Sequence, residues 1–352
     1  MKNFYRILSA ILLANALFFS SNVSFAGNED RVGQAGGGEL LINPWARSSG
    51  WGNVGIASTR GLEAMFSNVA GAAFTARTEV IFSSCIWLKG SGVNINSFGI
   101  TQKIGETSVI GLAFSSMSFG DIMKTTTDLP EGGIGTFSPN LTNINICYAK
   151  AFSNSIFGGI NVKIISEKID NMGASGVAID AGIQYITGEQ ENIMFGIALK
   201  NVGPRMKFSG DGLAIRGNVV NSSNQMTLEQ RSQDFDLPTS LNIGVTYQFN
   251  ISDQHKILLS GCFVSNSFTK DQFAIGLEYR MMEYLMLRGG YVYEKGIFSS
   301  ANRTFAYTGP SGGLTVQIPF NKEKNSTIAI DYSYRASNPW QGTHTIGARV
   351  NL

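Results

Sequence analysis

Histidine, cysteine, proline and charge are all scarce in this chain of 352 residues. It holds 2 histidines, 3 cysteines and 8 prolines, and only 15% of its residues are charged. A soluble protein carries about a quarter charged residues, so the surface expected here is short of charge. The formal net charge of +2 points to no nucleic acid and to no strongly charged partner. His255 and His344 fall at expected strand starts, in no triad or metal spacing, so no catalytic residue, metal or cofactor is expected and the chain reads as a non-enzyme. Gly36, Gly37 and Gly38 form no phosphate loop, because no Lys-Ser/Thr follows them. Cys85, Cys147 and Cys262 are odd in number and lie within expected strands, which suggests buried thiols rather than a disulfide framework. Past the first 26 residues no run reaches the roughly 18 apolar residues of a membrane helix.

What is present is a secretory signal followed by strands. Lys2 and Arg6 precede an apolar core at 7–19, and Ser24-Phe25-Ala26 offers small residues at the cleavage positions. Residues 1–26 therefore read as a signal peptide cut before Gly27; an uncleaved anchor is the rival, against which the short apolar run argues. No cysteine lies near the cut, so no lipoprotein is expected.

From Glu79 onward the chain alternates with period two, which places every second side chain on one face of a strand. Leu241, Ile243, Val245, Tyr247 and Phe249 share one face; Asn242, Gly244, Thr246, Gln248 and Asn250 share the other. Repeated along 79–352, this gives about 14 strands of roughly 10 to 15 residues, long enough to cross a tilted bilayer. Their expected starts are Glu79, Asn94, Thr107, Asn140, Ser155, Ser175, Glu191, Thr239, His255, Gln272, Tyr284, Ser311, Ser326 and Gly342. The links 121–139, 204–238 and 296–310 are long and all follow strands of one direction, while the alternate links are short. Long loops at one end and short turns at the other are the pattern of bacterial barrels. The fold expected is all-β: a transmembrane, antiparallel, up-and-down β-barrel in a bacterial outer membrane, with the lipid bilayer as its surroundings. A soluble sandwich would explain neither the export signal nor the loop asymmetry. Residues 27–78 show no strand series and read as a short plug inside the lumen, with a periplasmic arm as the alternative.

The candidate functional residues follow from this layout. Lys163, Asp180, Glu278, Arg280, Arg288, Glu294, Asp331, Arg335 and Arg349 lie on faces read as lumenal. They form either a selectivity constriction or, since acids and bases nearly balance, mutual ion pairs bracing plug and wall. The 204–238 loop is rich in apolar residues, among them Met206, Phe208, Leu213, Ile215 and Phe235. It is a candidate partner-binding loop or a segment folded back over the barrel mouth. Gly111, Gly158-Gly159 and Gly289-Gly290 mark either kinks in the wall or close packing. Tyr284, Tyr291, Tyr293, Tyr332, Tyr334 and Trp340 suit an interfacial aromatic girdle.

An ordered set of short motifs resembles the PorV/PorQ family of outer-membrane proteins. Leu40-Leu41-Ile42-Asn43-Pro44-Trp45-Ala46-Arg47 is similar to the family's opening, and closer to the PorV branch. Asn68-Val69-Ala70-Gly71 resembles its Asn-Pro-Ala plug signature, with Val69 in place of the proline. Ile179-Asp180-Ala181-Gly182-Ile183, the strand ending Asn201-Val202-Gly203-Pro204, Leu237-Pro238-Thr239, Leu287-Arg288-Gly289-Gly290-Tyr291, Asp331-Tyr332 and Thr343-His344 follow in the family's order. The resemblance implies a FadL-like barrel of 14 strands and assigns Pro44, Arg47, Asn68 and Ala70 to the plug signature. It also implies a role in type IX secretion, with the outer-membrane translocon barrel and cargo proteins bearing a C-terminal signal domain as partners. Barrel physics alone equally permits a FadL-like passive transporter of hydrophobic solutes.

Overall fold

The computed structural model describes residues 27, 29–218, 225–282, 284–321 and 326–352. The expected signal peptide lies outside the described residues. The first strands are β1 (Thr78–Trp87), β2 (Val93–Ile104) and β3 (Ser108–Ser118), followed by the two-residue strands β4 (Ile122–Met123) and β5 (Thr136–Phe137). Next come β6 (Asn140–Ala151), β7 (Ile156–Ile169), β8 (Met172–Thr187) and β9 (Ile193–Val202). A small hairpin, β10 (Ala214–Asn218) and β11 (Gln225–Glu229), interrupts the series. The chain finishes with β12 (Ser240–Ser252), β13 (His255–Asn266), β14 (Gln272–Met281), β15 (Leu285–Glu294), β16 (Tyr307–Asn321), β17 (Ser326–Ser337) and β18 (Thr343–Asn351).

Without the two hairpins β4–β5 and β10–β11, the described strands form one closed antiparallel barrel of 14. Each strand pairs with its neighbours in order, and β1 closes on β18 with Glu79 opposite Asn351 and Ile86 opposite His344. The expected fold is therefore borne out. The widest gap between expected and observed starts is at β16, which begins at Tyr307 rather than Ser311. Closure leaves no unpaired edge in the barrel, the condition for a sheet to sit in lipid.

Alternation runs inside-out relative to a soluble protein. On β12, Leu241, Ile243, Val245 and Tyr247 are exposed, while Asn242 and Thr246 are buried. The same holds for Ile179 and Ile183 against Asp180 and Gln184, and for Ile328 and Ile330 against Asp331. An apolar coat around the whole barrel far exceeds the few hundred Å² that a monomer exposes to water; lipid is the solvent that matches it. Among the described residues no helix is long and apolar enough to cross a membrane, so crossing falls to the strands.

The core lies within the bore. Residues 29–77 fold as short helical pieces, the Ala46–Gly50 α-turn and the 3-10 turns Gly38–Leu41, Leu62–Phe66 and Val69–Phe74. Trp45, Val54, Leu62, Ala64 and Ala70 in this segment are fully buried. The segment is a plug in the lumen.

Candidate functional site

The plug can fill the bore because the wall gives way to it at inward-facing glycines. A Cβ at Gly196 would stand 2.4 Å from the Ile56 carbonyl oxygen, and one at Gly290 2.6 Å from that of Trp51. Gly276 meets the Trp51 ring, Gly159 the Val69 carbonyl, and Gly111 the Met65 sulfur. Gly111, Gly159 and Gly290 thus serve close packing and are not openings in the wall. Gly158 instead lies beside the Phe152 ring, and Gly289 has open space before it.

Asn68 locks the plug to the wall. Its Oδ1 accepts from Ala70 N at 3.2 Å, capping the Val69–Phe74 turn, and its Nδ2 donates to Ile56 O at 2.9 Å and to Ile183 O at 3.0 Å. Val69 occupies the first position after the cap, where a missing N–H costs nothing. Proline or valine therefore suits this place equally, and the departure from the motif leaves the turn intact. Pro44 offers its carbonyl to Ser83 Oγ at 2.7 Å.

At the short-turn end a compact ionic lattice ties plug to wall. Glu278 is fully buried and pairs with Arg280 and Arg288 on neighbouring wall positions and with Arg47 of the plug at 3.5 Å. Arg288 Nη1 also donates to Thr315 Oγ1 at 2.7 Å, Thr315 donates to Asp331, and Arg349 lies 3.4 Å from Asp331. Two carboxylates that the sequence reading left out complete the lattice. Glu63 accepts from Ser48 N at 3.1 Å and Glu79 from Leu62 N at 2.6 Å, so each fixes plug backbone. Burial pushes the Glu63 carboxyl above the ordinary carboxylate range. Four carboxylates (Glu63, Glu79, Glu278, Asp331) face four guanidinium groups (Arg47, Arg280, Arg288, Arg349), a balance that suits mutual pairing and gives no ring of one sign.

A second polar group sits halfway up the wall, where the β8–β9 pairing slips. Ile179 faces Val202 but Ala181 faces Leu199, so Lys200 and Asn201 together oppose Asp180. The extra residue is Asn201, with φ of 59°, and the bulge turns it inward beside Lys200. Lys163 Nζ reaches Asp180 at 2.7 Å and Asn201 Oδ1 at 2.6 Å, and Asn201 N donates to Asp180 at 2.7 Å. Lys200 Nζ donates to Phe66 O of the plug at 2.7 Å. Alternation places Asp180 and Lys163 inward from sequence alone, but two consecutive inward residues break the period and were missed.

Above the plug, at the loop end, lies a cavity of ≈ 130 Å³. Its lining mixes apolar Ile56, Phe66 and Val264 with polar Lys200, Glu294 and Arg335. Arg335 stacks on the Tyr307 ring at 3.9 Å, and Glu294 accepts from Thr304 N at 2.8 Å, so both are engaged by the loop-end wall. Nearby, the Glu39 carboxyl is pushed up to about 7 by burial first and by the facing Glu167 charge second.

The 204–238 loop divides. Met206 is 1% exposed and packs with Leu40, Ile165 and Leu237, and beside it the Phe208 and Phe235 rings meet at a tilt with centroids 5.8 Å apart. These three residues fold back over the barrel mouth against the plug, the second of the two arrangements expected for this loop, with Met206 buried and Phe208 and Phe235 partly buried. Ile215, Met226 and Leu228 stand exposed on the β10–β11 hairpin, and Leu213 at its foot is half-buried.

Of the histidines, His255 Nδ1 lies 2.7 Å from the Tyr279 hydroxyl and His344 Nδ1 2.8 Å from that of Tyr332. Each pair sits at a barrel rim with the aromatic residues there. Among the described residues the three cysteines are free and buried, and no group of three or more metal-ligating side chains occurs.

No family model matches the sequence, and no curated protein matches it either. Solved structures do match. The toluene transporter TodX of Pseudomonas putida superposes with a TM-score of 0.54 at 14% identity, over 88% of this chain and 97% of that one. The Ralstonia pickettii toluene transporter TbuX gives 0.52 at 14% identity over the same shares. A Pseudomonas aeruginosa FadL homologue gives 0.50 at 12%, covering 88% of this chain and 96% of that one. The fold is that of FadL-like outer-membrane barrels with 14 strands.

Proposed function

We propose that this protein is a passive transporter for small hydrophobic solutes in a bacterial outer membrane, exported through a cleaved signal peptide. The observation that carries the reading is the cavity at the loop end, part apolar and part polar, seated directly on a plug that closes the bore. A solute entering there leaves water for the apolar Ile56, Phe66 and Val264. Passage onward then requires the plug to shift. The likeness to barrels described as toluene transporters and a monoaromatic hydrocarbon channel supports the same reading. It is tested by measuring uptake of labelled toluene and of a long-chain fatty acid in cells lacking the gene and in complemented cells. Faster uptake on complementation supports transport; equal uptake, with folded barrel present in the outer membrane, overturns it.

A second reading is an adaptor of the type IX secretion system, as the PorV-like motifs imply. It is favoured by the β10–β11 hairpin, whose exposed face carries Ile215, Met226 and Leu228. A two-stranded hairpin with an uncovered apolar face suits a protein partner. Mild-detergent affinity purification separates the two readings. Recovery of a very large outer-membrane barrel, or of secreted proteins sharing a C-terminal domain, supports the adaptor. A barrel recovered alone or with bound lipid favours transport.

A further inference from the structure

The first residue after the expected signal peptide is itself held in a specific contact. Gly27 N lies 2.8 Å from the Asp271 Oδ2 carboxylate oxygen, although the two are 244 positions apart in the chain. Asp271 sits in the turn between β13 and β14, at the loop end of the barrel, and its other oxygen accepts from Asn266 N at 3.3 Å. The fit around Gly27 is close. A Cβ there would stand 2.8 Å from Asp271 N and 2.9 Å from Thr269 O, so a glycine is what the turn admits. The Thr269 Oγ1 in that turn is enclosed and has no hydrogen-bond partner among the described residues.

The following residues are laced to the same rim. Arg31 lies over the Phe268 ring at 4.0 Å and pairs with Asp236 at 3.1 Å. Gly36 N donates to Asp236 O at 3.0 Å, and the chain then enters the plug.

From this we infer that export processing completes the structure: cleavage before Gly27 creates an ammonium that Asp271 captures, latching the lead of the plug to the barrel rim. The chemistry is hydrolysis of the Ala26–Gly27 peptide bond by a signal peptidase. Water adds at the Ala26 carbonyl carbon, the C–N bond breaks, and a carboxylate stays with Ala26 while the released Gly27 amine takes up a proton. In the uncleaved chain the nitrogen has one hydrogen and no charge. After cleavage it has three hydrogens and a positive charge, which turns a neutral contact to Asp271 into a charge-assisted one. It also supplies donors for acceptors of the turn, Thr269 among them. The inference rests on the signal-peptide reading and on this contact, and is independent of what the barrel carries.

The test uses the mature protein purified from outer membranes. Intact mass and N-terminal sequencing locate the first residue. The rate at which an amine-reactive reagent labels the Gly27 α-amine is then compared in folded and urea-unfolded protein, and in Asp271→Asn. An N-terminus at Gly27, labelled about fivefold more slowly when folded, supports the latch; a fivefold effect is what a partly exposed ion pair of about 1 kcal/mol delivers. In Asp271→Asn the protection should vanish while the heat-modifiable gel shift of a folded barrel persists. A mature chain starting elsewhere, equal rates in folded and unfolded wild-type protein, or protection unchanged in Asp271→Asn overturns it. If Asp271→Asn does not fold, the wild-type comparison decides alone.

Discussion

The Arg47 guanidinium, carried on the plug, lies 3.5 Å from the Glu278 carboxylate on the barrel wall. Glu278 also holds Arg280 and Arg288, so one carboxylate is shared by three guanidinium groups and fastens the plug to a closed sheet.

Glu278→Gln should therefore unseat the plug. Removing one partner from a buried ionic cluster costs about 3–5 kcal/mol, because the remaining charges lose compensation. The expected outcome is a lower melting temperature in detergent and higher single-channel conductance in planar bilayers. Unchanged conductance with an intact barrel would show that the plug is held by other means.

Stability should also depend on pH through Glu39. Its carboxyl titrates near 7 when folded, against an ordinary value of 4.5, because of burial and the facing Glu167. The folded state then binds the extra proton, so stability is greatest below about 4.5 and declines as pH rises to about 7. Lys163 lines the small cavity beside Glu39 but is engaged by Asp180. Thermal unfolding between pH 4 and pH 8 should show this loss, and Glu39→Gln should flatten it. An unaltered profile in that variant would remove Glu39 as the cause.

The glycines of the wall can be separated by their surroundings. Gly196→Val places a side chain against the Ile56 carbonyl and should displace plug backbone, destabilising by about 1–3 kcal/mol, the scale of core overpacking. Gly289→Ala meets nothing within 4 Å and should be neutral to within about 0.5 kcal/mol. Equal melting temperatures for the two variants would contradict close packing as the reason for Gly196.

Trimming the long loop should have two different results. Deleting only the β10–β11 hairpin leaves Met206, Phe208 and Phe235 in place and should keep the heat-modifiable shift and the melting temperature. Met206→Ala should cost about 2–5 kcal/mol by opening a cavity beside Leu40, Ile165 and Leu237. Removal of all of 204–238 takes the mouth cluster away with the hairpin and should therefore destabilise. Denaturant titration of the three variants measures each effect.

Much of this was legible in the residues themselves. Alternation such as Leu241 to Phe249 has period two, and a side chain in a strand has no choice but to follow it, so strand number, inward and outward faces and loop asymmetry could all be read locally. Asp180, Lys163, Glu278, Asp331 and Arg349 are inward for that reason alone. What tertiary structure decided was everything that depends on distance across the bore. The β8–β9 bulge breaks the period and turns Asn201 inward beside Lys200. Glu63 and Glu79 find their backbone donors only once the plug is seated. The apolar loop residues part into Met206, Phe208 and Phe235 packed inward and Ile215 left exposed, because only the closed barrel creates a mouth for the first three to cover. Local geometry fixes which face a side chain takes; which partner waits on that face is settled by closure of the sheet.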